Sequence, residues 1–346
     1  MRAVVFREPG RVEVADVPAP EIRGSGDALV RVQVTGICGS DLHFVHGKAP
    51  LQPGETIGHE VLGTVERVGE GVTRFAPGDR VVGAFAIACG ACWFCRHGQT
   101  QLCDRGRILG TGVVGGSLGG AQAELVRVPD ADVNLLAVPD AVTDDRALFV
   151  GDGLSTAYHA AEIASIDPGE TVAVVGAGPI GYLSAAAARL HDPAEVIAID
   201  LEPERLALVE GVGAVSVDAG RQNPQTAVYE RTDGRGADVV VEAVGTAPAF
   251  ERALDVVRRG GRVVVAGVYA SEVVEAQLGV WWSRALDVRF TGLCPVHAVW
   301  ERAMAEVVRG RLDPEPLVSH RLPLEEAASG YELFHARRAT KVLLYP

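Results

Sequence analysis

Thr171-Val-Ala-Val-Val-Gly-Ala-Gly-Pro-Ile-Gly181 sets a five-residue apolar run directly before a Gly-x-Gly-x-x-Gly turn, and an alanine-rich stretch continues to about residue 190. Three glycines alone make only a flexible turn. Their flanks decide the matter, because a buried strand leads in and a helix leads out. In that setting Gly176 permits the tight turn, Gly178 lets a pyrophosphate approach the backbone, and Gly181 allows helix and strand to pack closely. Pro179 and Ile180 open a helix whose free N–H groups and partial positive charge suit phosphates. The segment is predicted to bind a dinucleotide.

Downstream, residues 195–199 form a second apolar run ending in Asp200, a carboxylate placed to accept hydrogen bonds from ribose hydroxyls and to repel a 2′-phosphate. NAD is therefore expected over NADP. Arg205 lies near enough to soften that preference, although a surface ion pair is its more ordinary role. The alternation of strand and helix continues, with strands expected near 214–217, 238–241, 262–266 and 288–291. Six such strands make a doubly wound parallel sheet with helices on both faces. Trp281-Trp282, beside the sixth strand, reads as core or as a subunit interface.

Upstream the texture differs. Residues 1 to about 150 carry Gly and Pro at short intervals between β-type runs such as 28–34, 63–68, 80–83 and 123–128, which suggests an antiparallel, barrel-like domain. A helix over 154–166 joins the two parts. After Cys294 the pattern becomes helix (296–309), loops, helix (324–335) and a final strand from Lys341. This tail does not extend the alternation and is expected to rejoin the first domain. The expected division is 1–153 with 293–346, and 154–292.

Composition bounds the function. A chain of 346 residues fits two domains, and 48% hydrophobic with 22% charged residues is ordinary for a folded soluble protein. Lys and Arg total 32 against 45 Asp and Glu, for a net charge of −13 without a basic block, so nucleic acid is not an expected partner. No apolar run is long enough to span a membrane, and Met1-Arg-Ala-Val-Val-Phe6 lacks a signal-peptide core. Cytoplasmic location is the default.

Four of the six cysteines, Cys89, Cys92, Cys95 and Cys103, fall within fifteen positions. In a reducing compartment such spacing suggests metal rather than disulfides. Four thiolates can surround a tetrahedral zinc and leave no open position, which makes a structural site. An iron–sulfur cluster or unligated thiols are the competing readings. Cys38 and the pair His59-Glu60 are dispersed, and singly each reads as core or as a hydrogen-bonded structural residue.

Taken together, GICGSDLH (36–43), GHE (58–60), the cysteine loop and VVGAGPIG (174–181) resemble the zinc-containing medium-chain dehydrogenase/reductase family over essentially the whole chain. The resemblance implies a GroES-like catalytic domain beside a Rossmann domain, with two zincs per chain. It implies that Cys38 and His59 hold a catalytic zinc and that Glu60 matches an exchangeable further ligand. Asp152, in Gly151-Asp152-Gly153, stands where the third fixed ligand falls, and its alternative role is to cap the following helix. Val244 and Val268 are implied as cofactor contacts. The segments 95–103, 120–124 and 151–152 look most like the formaldehyde-dehydrogenase-like branch, but the chain lacks that group's long cofactor-covering insertion, which points away from formaldehyde as substrate.

The activity so implied is hydride transfer between an alcohol and NAD, with an open metal position to acidify the hydroxyl. Ser40 and His43 are implied as the start and the solvent end of a proton relay, and Asp41 as the residue orienting His59. Ser40 otherwise reads as a turn serine and His43 as a surface side chain. His46 has no assigned role, and Cys294 reads as a small apolar residue. A polyol, amino-alcohol or sugar-alcohol dehydrogenase on the same scaffold is the first alternative, and a non-catalytic zinc- and nucleotide-binding protein the second. Related enzymes assemble through the dinucleotide domain, so a homo-oligomer is expected, a tetramer before a dimer.

Overall fold

A computed structural model describes residues 1–269 and 273–346. The chain forms two compact units, Met1–Ser155 with Leu293–Pro346, and Thr156–Gly292.

The first unit is organised on the long strand Ala28–Ile37. One edge pairs antiparallel with Val61–Val68, followed by Arg80–Gly83 and Leu135–Ala137. The other edge is shared: Leu125–Val128 covers residues 28–31, and the C-terminal strand Lys341–Tyr345 covers 35–37. Val318–Pro323 then joins Lys341–Tyr345 in parallel, one departure from the antiparallel pattern that the turn signals suggest. The alternating burial of Ala28–Ile37 explains its role, since Val30, Val32 and Val34 are buried while Arg31 and Gln33 face water. Two apolar clusters result. One gathers Val30, Val61, Val65, Val81, Ile87 and Leu109, and the other Phe6, Ile37, Ile57, Leu324, Tyr331 and Val342.

The helix Gly153–Ala164 carries the chain into the second unit and stops where Ser165 turns left-handed, two residues short of the sequence expectation. Six parallel strands follow: Thr171–Val175, Glu195–Asp200, Val215–Asp218, Ala237–Glu242, Val257–Val265 and Asp287–Phe290. Counted in chain order, their spatial order is 3-2-1-4-5-6. The two central strands, Thr171–Val175 and Ala237–Glu242, are buried at every position, which is why they read as apolar runs rather than as alternation. The fifth strand begins earlier than expected. It includes Gly260-Gly261, where the pairing with Ala237–Glu242 is irregular between Val257 and Arg262, and a Cβ on Gly261 would come within 2.6 Å of Val257 Cγ2. Trp281 packs edge-on against Phe250, with ring centroids 5.7 Å apart, while Trp282 is 82% exposed. The pair is thus part core and part surface.

Candidate active site

Cys38 leaves the end of Ala28–Ile37, His59 and Glu60 immediately precede Val61–Val68, and Asp152 follows the short helix Phe149–Gly151. These elements bring one ligand atom from each of the four side chains within 4.8 Å of the others. His59 Nε2 lies 3.2 Å from Asp152 Oδ2, and Ser40 Oγ lies 3.3 Å from Cys38 Sγ and 3.4 Å from His59 Nε2. Asp41 faces the other ring nitrogen, with Oδ1 2.9 Å from His59 Nδ1, while its Oδ2 accepts the Cys38 backbone N–H at 2.9 Å. His43, half-buried on the same short helix Asp41–Val45, stands outside this cluster.

The cluster is acidic, with His59, Glu60 and Asp152 buried and Cys38 half-buried. Burial, the largest single influence, would lower the His59 pKa, but Asp41, Asp152 and Cys38 together outweigh it, so the ring sits well above its ordinary value. Such a pocket demands positive charge. Lys341 answers for Glu60: its Nζ lies 2.5 Å from Oε1 and from Oε2. Burial, the largest single influence, would depress the lysine, yet Glu60, Cys38 and Asp152 together more than offset it and the ammonium keeps its proton. A divalent ion bound there would displace the His59 proton and be balanced by the Cys38 thiolate and the Asp152 carboxylate. A soft sulfur, an imidazole and a carboxylate make a donor set suited to zinc.

Lys341 is absent from the sequence expectation, as are Gln122 and Tyr331, which lie behind Asp41. Gln122 Nε2 donates to the Gly36 carbonyl at 3.0 Å, and Tyr331 OH donates to Gln122 Oε1 at 3.0 Å. One signal did exist, namely a lysine opening the otherwise apolar run Lys341-Val-Leu-Leu-Tyr345, because a lysine that enters a core requires a partner.

The four cysteines form a separate group. Cys92 Sγ lies 3.4 Å from Cys95 Sγ and 3.9 Å from Cys103 Sγ, and Cys89 Sγ lies 3.9 Å from Cys95 Sγ. Tetrahedral zinc with bonds of about 2.3 Å sets its sulfurs roughly 3.8 Å apart, so the spacing fits that ion. Backbone N–H groups of Cys89, Cys92 and Arg105 point at the sulfurs. Burial, with Cys92 and Cys103 alongside, pushes the Cys95 thiol up to about 12, as expected for thiols sharing one pocket without a cation.

On the second unit the glycine motif spans the end of Thr171–Val175 and the start of helix Pro179–Arg189. Gly176 has φ +93°, and a Cβ there would lie 2.4 Å from Val244 Cγ2; one on Gly181 would lie 1.7 Å from the Gly176 carbonyl oxygen. No other residue fits at either place. Asp200 accepts Ala177 N–H at 2.6 Å on Oδ2, and Leu201 and Glu202 N–H at 2.7 and 2.9 Å on Oδ1, so it also braces the loop. Arg205 Nη1 lies 3.7 Å from the position of a Cβ on Gly178, and among the described residues it forms no ion pair, contrary to its ordinary reading. Val244 and Val268 are about half exposed beyond the carboxyl ends of their strands, where doubly wound sheets bind ligands. Backbone free of side chains, a helix N-terminus and exposed valines fit a dinucleotide.

Comparison with known proteins agrees with this chemistry. The family model of the alcohol dehydrogenase GroES-like domain matches residues 24–140, and that of the zinc-binding dehydrogenase domain matches 179–309. An alcohol dehydrogenase of Cupriavidus necator is 37% identical over 354 residues, covering 98% of this chain and 96% of its own. The structure of alcohol dehydrogenase TADH from Thermus sp. ATN1 superposes with a TM-score of 0.95 at 47% identity, over 100% of this chain and 99% of that one. A zinc-binding dehydrogenase from Sinorhizobium meliloti 1021, bound to NADP, superposes at 0.88 with 32% identity, covering 100% and 99%. The chain belongs to the zinc-dependent medium-chain alcohol dehydrogenases, oxidoreductases that use a nicotinamide cofactor.

Proposed function

We propose that this alcohol dehydrogenase takes NAD as its hydride acceptor and holds two zinc ions per chain. One would sit at Cys38, His59 and Asp152, the other at Cys89, Cys92, Cys95 and Cys103. The observation that carries the reading is the convergence of Cys38, His59, Glu60 and Asp152 within 4.8 Å, with Glu60 already matched by Lys341. Three ligands then remain for the metal, the number typical of catalytic zinc. The zinc supplies the Lewis acidity that lets an alcohol release its proton near neutral pH, and the nicotinamide supplies the hydride acceptor.

The protein's own groups do the rest. Asp41 holds His59 by Nδ1 and so presents Nε2 to the cluster. Ser40 Oγ, between Cys38 Sγ and His59 Nε2, is the first hydroxyl to receive the substrate proton, and His43 hands it to solvent. Gly176, Gly178, Pro179, Ile180 and Gly181 seat the pyrophosphate. Asp200 accepts from the ribose and disfavours a 2′-phosphate, Arg205 reaches the same groove wall, and Val244 and Val268 give it apolar surface. The segments 95–103 and 151–152 support the formaldehyde-dehydrogenase-like branch.

Six free thiols suit a reducing cytoplasm, and no helix among the described residues is long and apolar enough to cross a membrane. Among the described residues the edge strand Asp287–Phe290 pairs on one side only, its Phe290 is exposed, and exposed Leu278 and Trp282 lie beside it, which supports self-association; a homotetramer is the proposed form. Light scattering reads the subunit number. The activity test is NADH formation from primary alcohols, secondary alcohols, polyols and formaldehyde, with and without a chelator, and with NADP in parallel. Chelator-sensitive turnover with NAD supports the proposal. Turnover that survives complete zinc removal, or that prefers NADP, overturns it.

A further inference from the structure

We propose that Tyr331 is a positioning residue for the catalytic metal centre, acting through Gln122 and Asp41 to fix which nitrogen His59 presents. This rests on the reading of Cys38, His59 and Asp152 as zinc ligands.

The connection is one chain of hydrogen bonds inside the first unit. Tyr331 OH donates to Gln122 Oε1 at 3.0 Å, Gln122 Nε2 reaches Asp41 Oδ2 at 3.5 Å, and Asp41 Oδ1 faces His59 Nδ1 at 2.9 Å. All four residues are buried, and Gln122 has no exposure at all. Buried polar groups out of reach of water depend wholly on one another for their hydrogen bonds.

The direction of the chain is set by chemistry. A glutamine amide fits its space almost equally well either way round, so its neighbours decide. The Gly36 carbonyl, 3.0 Å from Nε2, can only accept, and so can the Asp41 carboxylate. The NH2 end must face these two, and Oε1 must then face a donor. Tyr331 is that donor, and burial holds its phenol well above the ordinary pKa, so the proton stays. Without the hydroxyl, Oε1 is left buried and unsatisfied, and a flip would set it against two acceptors. Asp41 would lose its fixed neighbour, and His59 its fixed tautomer.

The backbone around Gln122 has the same purpose. Gly58, next to His59, has φ +89°, and a Cβ there would lie 2.4 Å from Gln122 Cγ. The glutamine side chain therefore lies across bare backbone. Its own N–H donates to Ile57 O at 3.0 Å, and Ala121 N–H donates to Gly58 O at 2.8 Å. Tyr331 comes from the helix Ala327–His335, over 200 residues away in sequence, and its ring belongs to the second apolar cluster. Packing explains the ring. It does not explain the hydroxyl's aim at an amide that in turn faces Asp41.

The test is zinc release from Tyr331→Phe into a chromogenic chelator, with the four-cysteine zinc as internal reference. Removing an outer partner of a metal-bound histidine typically weakens binding 10- to 100-fold. Two bonds beyond Asp41, we expect the catalytic zinc to leave about tenfold faster while the cysteine-bound zinc leaves at its wild-type rate. The cobalt-substituted protein should show a shifted ligand-field spectrum, and NADH affinity should not change. Gln122→Met, which keeps the length across Gly58 but removes the amide, should give the same selective loss, and it carries the test if Tyr331→Phe does not fold. Equal release of both zincs at wild-type rates overturns the proposal, and so does equal acceleration of both, which would mark general softening. A wild-type protein that binds only the cysteine zinc overturns instead the ligand assignment beneath it.

Discussion

Lys341 Nζ lies 2.5 Å from each carboxylate oxygen of Glu60, and both side chains are sealed from solvent, with the Phe149 ring 5.4 Å from the ammonium. The backbone makes room for them. A Cβ on Gly36 would stand 2.0 Å from Glu60 Oε2 and 2.9 Å from Lys341 Nζ.

Breaking a buried pair from one side leaves a bare charge, which costs about 3–5 kcal/mol. Lys341→Met should therefore lower the stability of the first unit by about that amount. Adding Glu60→Gln should recover much of the loss. Denaturant unfolding of the single and double variants measures it, and a single variant as stable as wild type contradicts the pairing. Gly36→Ala should resemble Lys341→Met, because its methyl group takes the carboxylate's place.

The two metal groups should respond differently to mutation. On the proposed assignment Cys38→Ala removes a zinc ligand from the reacting centre, where a cation would contribute several kcal/mol to the transition state, so turnover should fall about 10³-fold or more with the fold largely kept. Cys92→Ala should mainly lower heat stability and bound zinc. Turnover, melting temperature and zinc content of both proteins separate the roles. A Cys38 variant with near-normal turnover contradicts the assignment.

Asp200 is engaged twice, by its part in the glycine loop and by its charge. Asp200→Ala should raise KM for NAD about 10- to 100-fold, the range for loss of a charge-assisted hydrogen bond with its loop contacts. KM for NADP should rise less, because the repulsion of a 2′-phosphate disappears as well. Unchanged discrimination between the two cofactors argues against its role at the ribose.

His297 gives a pH dependence with a definite sign. Its Nε2 donates to Asn134 Oδ1 at 2.8 Å, whereas Nδ1 is buried with no partner among the described residues. Burial lowers the pKa to about 4 from 6.5. Between these values the unfolded chain binds a proton that the folded chain refuses, so stability falls as pH drops from about 6.5 to 4. The loss is up to about 3 kcal/mol. His297→Gln, which can still donate to Asn134, should flatten this part of the wild-type profile. Parallel profiles for the two proteins contradict it.

The legible parts were those whose partners lie close in sequence. The glycine motif declares itself because the strand and helix it joins are adjacent, and the cysteine loop because all four sulfurs fall between positions 89 and 103. Cys38, His59 and Asp152 could be assembled only through resemblance, since nothing local to any of them says the others are near. Gln122 and Tyr331 carried no signal, and Lys341 showed only that a lysine entering an apolar run needs a partner, not which one. Tyr331 meets Gln122 across 209 positions and Lys341 meets Glu60 across 281, relationships made only by how the sheet of the first unit closes. The fifth strand was legible only from residue 262, because its pairing is irregular between Val257 and Arg262, where Gly260-Gly261 lie.

The position of Lys341 also orders events in time. A ribosome adding about 5–20 residues per second takes on the order of tens of seconds to pass from Glu60 to the lysine 281 positions later. Throughout that interval Glu60, His59 and Cys38 have emerged without their counter-ion or the strand that carries it. The cysteine loop waits for nothing, because fourteen residues separate its first ligand from its last. On the proposed assignment, the four-cysteine site can take its ion on the nascent chain, whereas Glu60 gains its counter-ion only once Lys341 has been made, which would make activation a late step of biogenesis.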